Sequence, residues 1–200
     1  MDLTTTIKQV QQALGFVGND VDGKAGPKTW TAILAKVSGK AQAVAAQEPV
    51  SGLVDERSEK VIATLLPHVR PYARALVNKA KAAGITIKVI SGTRSEAEQN
   101  ALYAKGRTTE GPKVTNARFG YSNHNFGIAF DIGIFEGAKY IPESSAYKAV
   151  GSIGMDIGLD WGGSWKSIVD EPHFQLRSSW AAGMNESKML AELRGGRKAA

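Results

Sequence analysis

Two short segments of this chain carry side chains of the types that bind transition metals. The stretch from Ser122 to Asp131, SNHNFGIAFD, holds His124 and Asp131. Some forty residues on, Asp170-Glu171-Pro172-His173-Phe174 supplies a second imidazole with a carboxylate three positions before it. The chain has only three histidines, and two of them lie beside carboxylates in these segments. A catalytic zinc takes roughly three protein ligands from His, Asp or Glu and keeps a fourth position open. His124, Asp131 and His173 could fill those three places. Either histidine alone would read as a surface pair or a satisfied core residue, so it is the combination that points to a metal.

The elements that must position these groups are legible from periodicity. Gly127 to Ile134 alternates as a half-buried strand does, with Ile128, Phe130, Ile132 and Ile134 on the core face. Asp131 then points the other way, between the small residues Ala129 and Gly133. His173 and Gln175 divide from Phe174 and Leu176 in the same manner, so a carboxylate on one strand meets an imidazole on its neighbour. Upstream, residues 58 to 83 hold two helical patterns broken near Pro67 and Pro71, with Leu65, Leu66, Val69, Leu76 and Val77 inward. His68 lies there without a carboxylate at ligand spacing and reads as exposed or structural. Gly84 ends the helix, and Ile85 to Ile90 is β-branched at nearly every position, a strand. Ser95 and Glu98 form a capping box that starts a helix running to about Lys105, stopped by Gly106. Glu98 is therefore structural rather than a catalytic acid. A short hairpin after Glu136-Gly137 precedes a helix from about Ser144 to Ile157, ended by Gly158. A last helix carries Met184, Met189, Leu190 and Leu193, and a frayed basic tail follows.

Ser122-x-His124-x-x-Gly127-x-Ala129-x-Asp131 followed by Asp170-x-x-His173 resembles the zinc peptidases of bacterial cell walls, the VanY-like D-alanyl-D-alanine carboxypeptidases and the phage L-alanyl-D-glutamate endopeptidases. The resemblance extends upstream to Ser91-Gly92-Thr93-Arg94-Ser95, Glu98-Gln99, Leu102-Tyr103 and Gly106-Arg107, and covers roughly Val54 to Arg177. It implies zinc on His124, Asp131 and His173, with Asp170 as general base, since those enzymes carry an acid three residues before the second histidine. Glu171 is one position off. It implies further that Arg94 binds substrate and stabilises the oxyanion, as an always-charged forked donor can, and that Ser122 is the family serine near the substrate. Trp161 and Trp165, set among glycines, either line the peptide cleft or belong to the core. The stretch around Arg94, Gln99, Tyr103 and Arg107 is more similar to the phage-type endopeptidases, and a carboxypeptidase is the nearest alternative. A non-catalytic wall-binding or virion protein would not need three ligands and a base, and a metal-stabilised signalling domain of related fold is disfavoured by the small wall-binding module.

The fold expected is α+β, a small antiparallel sheet carrying the zinc site with helices packed around it, preceded by a small three-helix domain. At 200 residues the chain is long enough for both. Val10-Gln11-x-x-Leu14-Gly15 and Val21-Asp22-Gly23-x-x-Gly26-x-x-Thr29-Trp30-x-Ala32-Ile33 resemble the three-helix peptidoglycan-binding domain of wall hydrolases, with Asp22-Gly23 and Gly26 as turn residues. Ile7, Val10 and Leu14 have helical spacing, as do Trp30, Ile33, Leu34 and Val37 within Thr29 to Val37. The expected division is a binding domain over 1–38, a linker over 39–53 that is Ala-, Gln-, Gly- and Lys-rich, and a peptidase domain over 54–200. No cysteine is present, which excludes disulfides and thiolate metal sites. The net charge of +6 suits polyanions in general. No helix-turn-helix, zinc finger or basic-aromatic strip favours nucleic acid. No leader or membrane span is expected. The expectation is a monomer made in the host cytoplasm that reaches peptidoglycan with the help of a holin, as endolysins do, without stable membrane insertion.

Overall fold

Residues 2–16, 21–26, 29–30, 32–33, 52–166 and 168–199 are described by the computed structural model. The chain divides into two units, Met1–Gln47 and Glu48–Ala200. Apart from Gly52 and Leu53, the linker expected over 39–53 lies outside the described residues, as do Asn19, Asp20 and Pro27 of the expected turn and Leu34 to Val37 of the second helix.

In the first unit, helix α1 (Leu3–Ala13) starts on Asp2, whose carboxylate accepts from Thr5 N–H. Its buried Gln11 organises the turn opposite: Nε2 donates to Asp22 Oδ1 at 2.7 Å and to Thr29 Oγ1 at 3.1 Å, while Oε1 accepts from Gly23 N–H at 2.9 Å. Asp22 and Gly23 thus do turn work, as expected. Thr29, Trp30, Ala32 and Ile33 are helical. Trp30, expected on an inward face, keeps 59% of its surface exposed.

The second unit begins with helices α2 (Glu56–Ile62) and α3 (Arg70–Ala82). Pro71 opens α3 instead of breaking it, because in the first turn its missing N–H would have no intrahelical partner anyway. Strand β1 (Ile87–Ser91) starts two residues later than the β-branched run suggests. Helix α4 (Glu96–Ala104) carries the capping box: Ser95 N–H donates to Glu98 Oε2 at 2.8 Å and Glu98 N–H to Ser95 Oγ. Then come β2 (Ala129–Glu136), β3 (Lys139–Ile141), α5 (Ala146–Asp156), β4 (Asp160–Trp161), β5 (His173–Gln175) and α6 (Glu186–Arg194).

All five strands form one antiparallel sheet, with β2 at its centre. One edge of β2 pairs with β1; the other is shared, β5 taking Ala129 to Asp131 and β3 taking Ile134 to Glu136. On the face turned to the helices, Ile128, Phe130, Ile132 and Phe174 are wholly buried with Leu76 of α3 and Val150 of α5. Phe130 and Phe174, directly paired across β2 and β5, stack with ring centroids 6.0 Å apart. Each such ring contributes about 1.5–3 kcal/mol on burial.

Segment 195–199 is docked, not frayed. Trp180 Nε1–H donates to Lys198 O at 2.9 Å, Ser178 Oγ–H donates to Ala199 O, and the Arg197 guanidinium lies 4.2 Å over the Trp180 ring. The charge count hid this because the anchors are backbone carbonyls.

Trp161 belongs to the core. Its indole is clasped between Gly151 of α5 and Gly163, where an added Cβ would lie 2.3 Å and 2.1 Å from ring atoms, and Nε1–H donates to Glu171 O at 2.8 Å. Gly151→Ala should therefore lower unfolding free energy by about 1–3 kcal/mol through overpacking, although alanine is the better helix former. Urea denaturation checks this, and a stabilised variant would contradict the clasp.

Candidate metal centre

Register brings the first two candidates together. Asp131 of β2 lies directly opposite His173 of β5 and, on its other edge, opposite Ser91 of β1. Because side chains alternate, placing Phe130 and Phe174 in the core sends Asp131 and His173 to the other face. His124 arrives from a short 3-10 helix, Asn123–Phe126, which ends at Gly127 with φ +70°. That left-handed residue turns the chain from the helix into β2, which places His124 over the strand that follows it. Arg94 N–H donates to His124 O at 3.0 Å and Leu66 N–H to Gly127 O at 3.0 Å, pinning the turn from both sides.

Three atoms converge as a result. Asp131 Oδ1 lies 3.2 Å from His124 Nε2 and 3.2 Å from His173 Nδ1, and the two nitrogens are 3.3 Å apart. Metal bonds of about 2.0–2.1 Å at tetrahedral angles place ligand atoms roughly 3.3–3.4 Å from one another. The triangle therefore fits a tetrahedral ion with its fourth position open. His124 and His173 are nearly inaccessible, whereas the Asp131 side chain retains 16% exposure, so the open side is the carboxylate's.

The protons are placed by the outer partners. His124 Nδ1–H donates to Gly92 O at 2.7 Å, leaving Nε2 with its lone pair. His173 Nε2–H donates to Gln175 Oε1 at 3.0 Å, leaving Nδ1 likewise. Two lone pairs and a carboxylate oxygen thus face one centre, an arrangement that calls for a positive charge. Protonation shows the same demand. Burial alone pushes the Asp131 carboxyl up, but the imidazoles of His124 and His173 outweigh it and hold the group well below the usual range. Burial lowers His173, and the Asp131 hydrogen bond and charge more than reverse that. A proton on His173 is the metal-free substitute for the cation.

Around the triangle, Arg94 Nη2 donates to Asp131 Oδ2 at 2.6 Å and, with Nε, contacts Ser91 Oγ at 3.2 and 3.3 Å. Arg94 thus orients the carboxylate through the oxygen that the triangle does not use. Asp170 sits half-buried beside the centre, its N–H donating to Gly162 O at 3.1 Å and its carbonyl accepting from His173 N–H at 3.2 Å. Burial first, then the negative charge of Asp131, raise its carboxyl above the ordinary 3.8, against the pull of His173, His124 and Arg94. The Trp165 ring tilts toward His173 with centroids 5.0 Å apart. Ser122 caps the 3-10 helix by position, without a side-chain cap bond. Glu98 is held by its capping box. His68 lines a separate groove with Leu66, Phe126 and Leu193.

Several residues of the site were not singled out from sequence. Gly92 offers a carbonyl, which no side-chain pattern reveals. Asn123, which beside His124 could hydrogen-bond substrate or metal-bound groups or merely make a turn, is buried and bonded to Gln175. Glu186 and Arg177 reach the same network from α6 and from just beyond β5. Two of them had a signal: Asn123 its place beside His124, and Gln175 its place two residues from His173 on one strand face.

A family model described as D-alanyl-D-alanine carboxypeptidase, of the M15 peptidases, matches residues 115–176. Among solved structures, the chain is similar to the L-Ala D-Glu endopeptidase ChiX of Serratia marcescens, with a TM-score of 0.48 and 22% identity over 68% of this chain and 95% of that one. It is also similar to the D,D-pentapeptidase VanY from a VanB-type vancomycin resistance cassette, solved as a mutant in complex with Zn(II), with a TM-score of 0.46 and 17% identity over 64% and 78% of the two chains. Peptidoglycan L-alanyl-D-glutamate endopeptidase CwlK of Bacillus subtilis (strain 168) is 36% identical over 122 residues, which span 56% of this chain and 73% of CwlK. On that identity and coverage, this chain belongs to the M15 peptidase family.

Proposed function

We propose that this chain is a zinc-dependent peptidoglycan peptidase that hydrolyses the L-alanyl-D-glutamate bond of the stem peptide. The observation that carries the reading is the triangle of His124 Nε2, Asp131 Oδ1 and His173 Nδ1, with sides of 3.2–3.3 Å, beside a half-buried carboxylate. Zinc held there supplies Lewis acidity, polarising a carbonyl and lowering the pKa of water. Asp170 takes the proton of the attacking water and passes it to the departing amine. Arg94 keeps Asp131 in place through Nη2; Nη1, which neither contact uses, offers a donor to the carbonyl oxygen as it gains charge. Trp165 forms one wall of the cleft and Ser122 meets the peptide at its rim. Similarity to CwlK and the Arg94 to Arg107 motifs support the endopeptidase; the description of the matching family model favours release of D-alanine as the second reading.

The wider role proposed is that of an endolysin, with residues 1–38 tethering the enzyme to the wall, 39–53 as linker and 54–200 as the peptidase, acting as a monomer after holin-dependent delivery. The turn built on Gln11, Asp22 and Gly23 supports the wall-binding resemblance by giving its motif residues a structural task. Among the described residues no helix is long and apolar enough to cross a membrane.

Digestion of purified peptidoglycan followed by labelling of new amino termini tests the bond: a new glutamate amine is expected, and free D-alanine alone would establish the carboxypeptidase instead. Asp170 generates a second prediction. A carboxyl whose folded-state affinity for protons is raised disfavours folding at neutral pH, where the unfolded chain leaves it ionised at no cost. Asp170→Asn should therefore retain zinc, lose about 100-fold or more in turnover, and leave the metal-free protein at least as stable as the parent by thermal melting. Retained turnover would move the base to Glu171, and a clear loss of stability would make Asp170 a structural residue.

A further inference from the structure

Behind His173, on the side away from the triangle, lies a chain of amide and carboxylate groups to which the proposed chemistry assigns no task. Gln175, wholly buried, accepts through Oε1 from His173 Nε2–H at 3.0 Å and from Asn123 Nδ2–H. Its Nε2 lies 3.5 Å from both oxygens of Glu186 and 3.5 Å from Asp160 Oδ2. Asn123 Nδ2 also donates to Glu186 Oε1. Arg177 clamps the two acids from outside, with Nε on Asp160 at 2.9 Å and Nη2 on Glu186 at 2.8 Å.

Ionised carboxylates only accept. The end of the Gln175 amide that faces Glu186 and Asp160 must therefore be the NH2, and the end that faces His173 must be the carbonyl. A carbonyl can only accept, so His173 must carry its proton on Nε2, and Nδ1 is left with a lone pair for the triangle. Asn123 obeys the same constraint. Its NH2 serves two acceptors while its Oδ1 is buried with no partner among the described residues, a cost that an opposite orientation would exchange for two clashing acceptors. The acid that begins α6, with Asp160 beside it, thus sets through one buried amide which nitrogen of a residue on β5 faces the centre.

We propose that Glu186 is a positioning residue for the metal, acting through Gln175 to fix the ring orientation and tautomer of His173. The inference rests on the zinc reading of the triangle. Outer partners that orient a metal-bound histidine are worth roughly 10–100-fold in metal affinity. Glu186→Gln keeps shape but replaces an obligate acceptor by a group that accepts or donates, so the sense of the Gln175 amide is held from that end by Asp160 Oδ2 alone, at 3.5 Å, and weakens.

The test measures zinc affinity of the full chain by competition with a chromophoric chelator, alongside the melting temperature of each metal-free protein. Glu186→Gln should bind zinc about 10–100-fold more weakly. The double variant Gln175→Glu, Glu186→Gln should recover most of that loss, because the swap restores an obligate acceptor beside His173 and a donor behind it. A purely structural Glu186 would lower the melting temperature and leave affinity unchanged, which overturns the proposal, as does a swap no better than the single variant. Long-range 1H–15N correlation on the zinc-loaded parent decides the point even where the single variant does not fold: His173 should show Nε2–H, and zinc on Nε2 would overturn the proposal. A parent that binds no zinc sinks the zinc reading itself, a separate outcome.

Discussion

Two imidazole lone pairs and a carboxylate oxygen repel one another, yet three such atoms are held 3.2–3.3 Å apart in a largely water-free position. In the metal-free chain only an added proton on His173 meets this, because the other ring protons of His124 and His173 are committed outward to Gly92 O and Gln175 Oε1. A single positive charge at the centre resolves it. Burial that would be costly for an unpaired carboxylate then becomes useful, since the same low dielectric that penalises the bare triangle strengthens its hold on a cation.

The rest of the domain is arranged to keep that triangle from relaxing. Strand β2 pairs along both edges, so Asp131 cannot move without breaking a ladder to Ser91 or to His173. The opposite face of the same strands is locked by Phe130 stacked on Phe174 and closed by α5, whose glycines let Trp161 and Phe174 approach to contact. His124, the one member of the triangle outside the sheet, is tied to it by the Arg94 and Leu66 backbone bonds. Arg94 contributes twice, through its backbone to the turn of His124 and through its guanidinium to the carboxylate of Asp131.

Much of this was legible in the sequence, for identifiable reasons. Period-two alternation placed Ile128, Phe130 and Ile132 inward and Asp131 outward, because in a strand the pleat leaves no other choice. The capping box of Ser95 and Glu98 and the stop at Gly106 are local chemistry and were read correctly. Spacing singled out His124, Asp131 and His173, but their mutual distance depends on the register between β2 and β5, which no local signal contains. Long-range satisfaction of polar groups escaped for the same reason: Glu186 meets Asn123 across 63 residues, and segment 195–199 is anchored through its carbonyls. Trp161 and Trp165 were indistinguishable as aromatics among glycines; contact with Gly151 and Gly163 makes the first core, and its angle over His173 puts the second at the site.

The central claim is that this triangle exists to hold a catalytic zinc, and the most direct measurement counts zinc in the purified chain while following peptidoglycan hydrolysis through chelation and zinc re-addition. One zinc per chain, with hydrolysis lost on chelation and restored by zinc, is the predicted result. Hydrolysis that persists in the metal-free chain, or a chain that takes up no zinc, would contradict it.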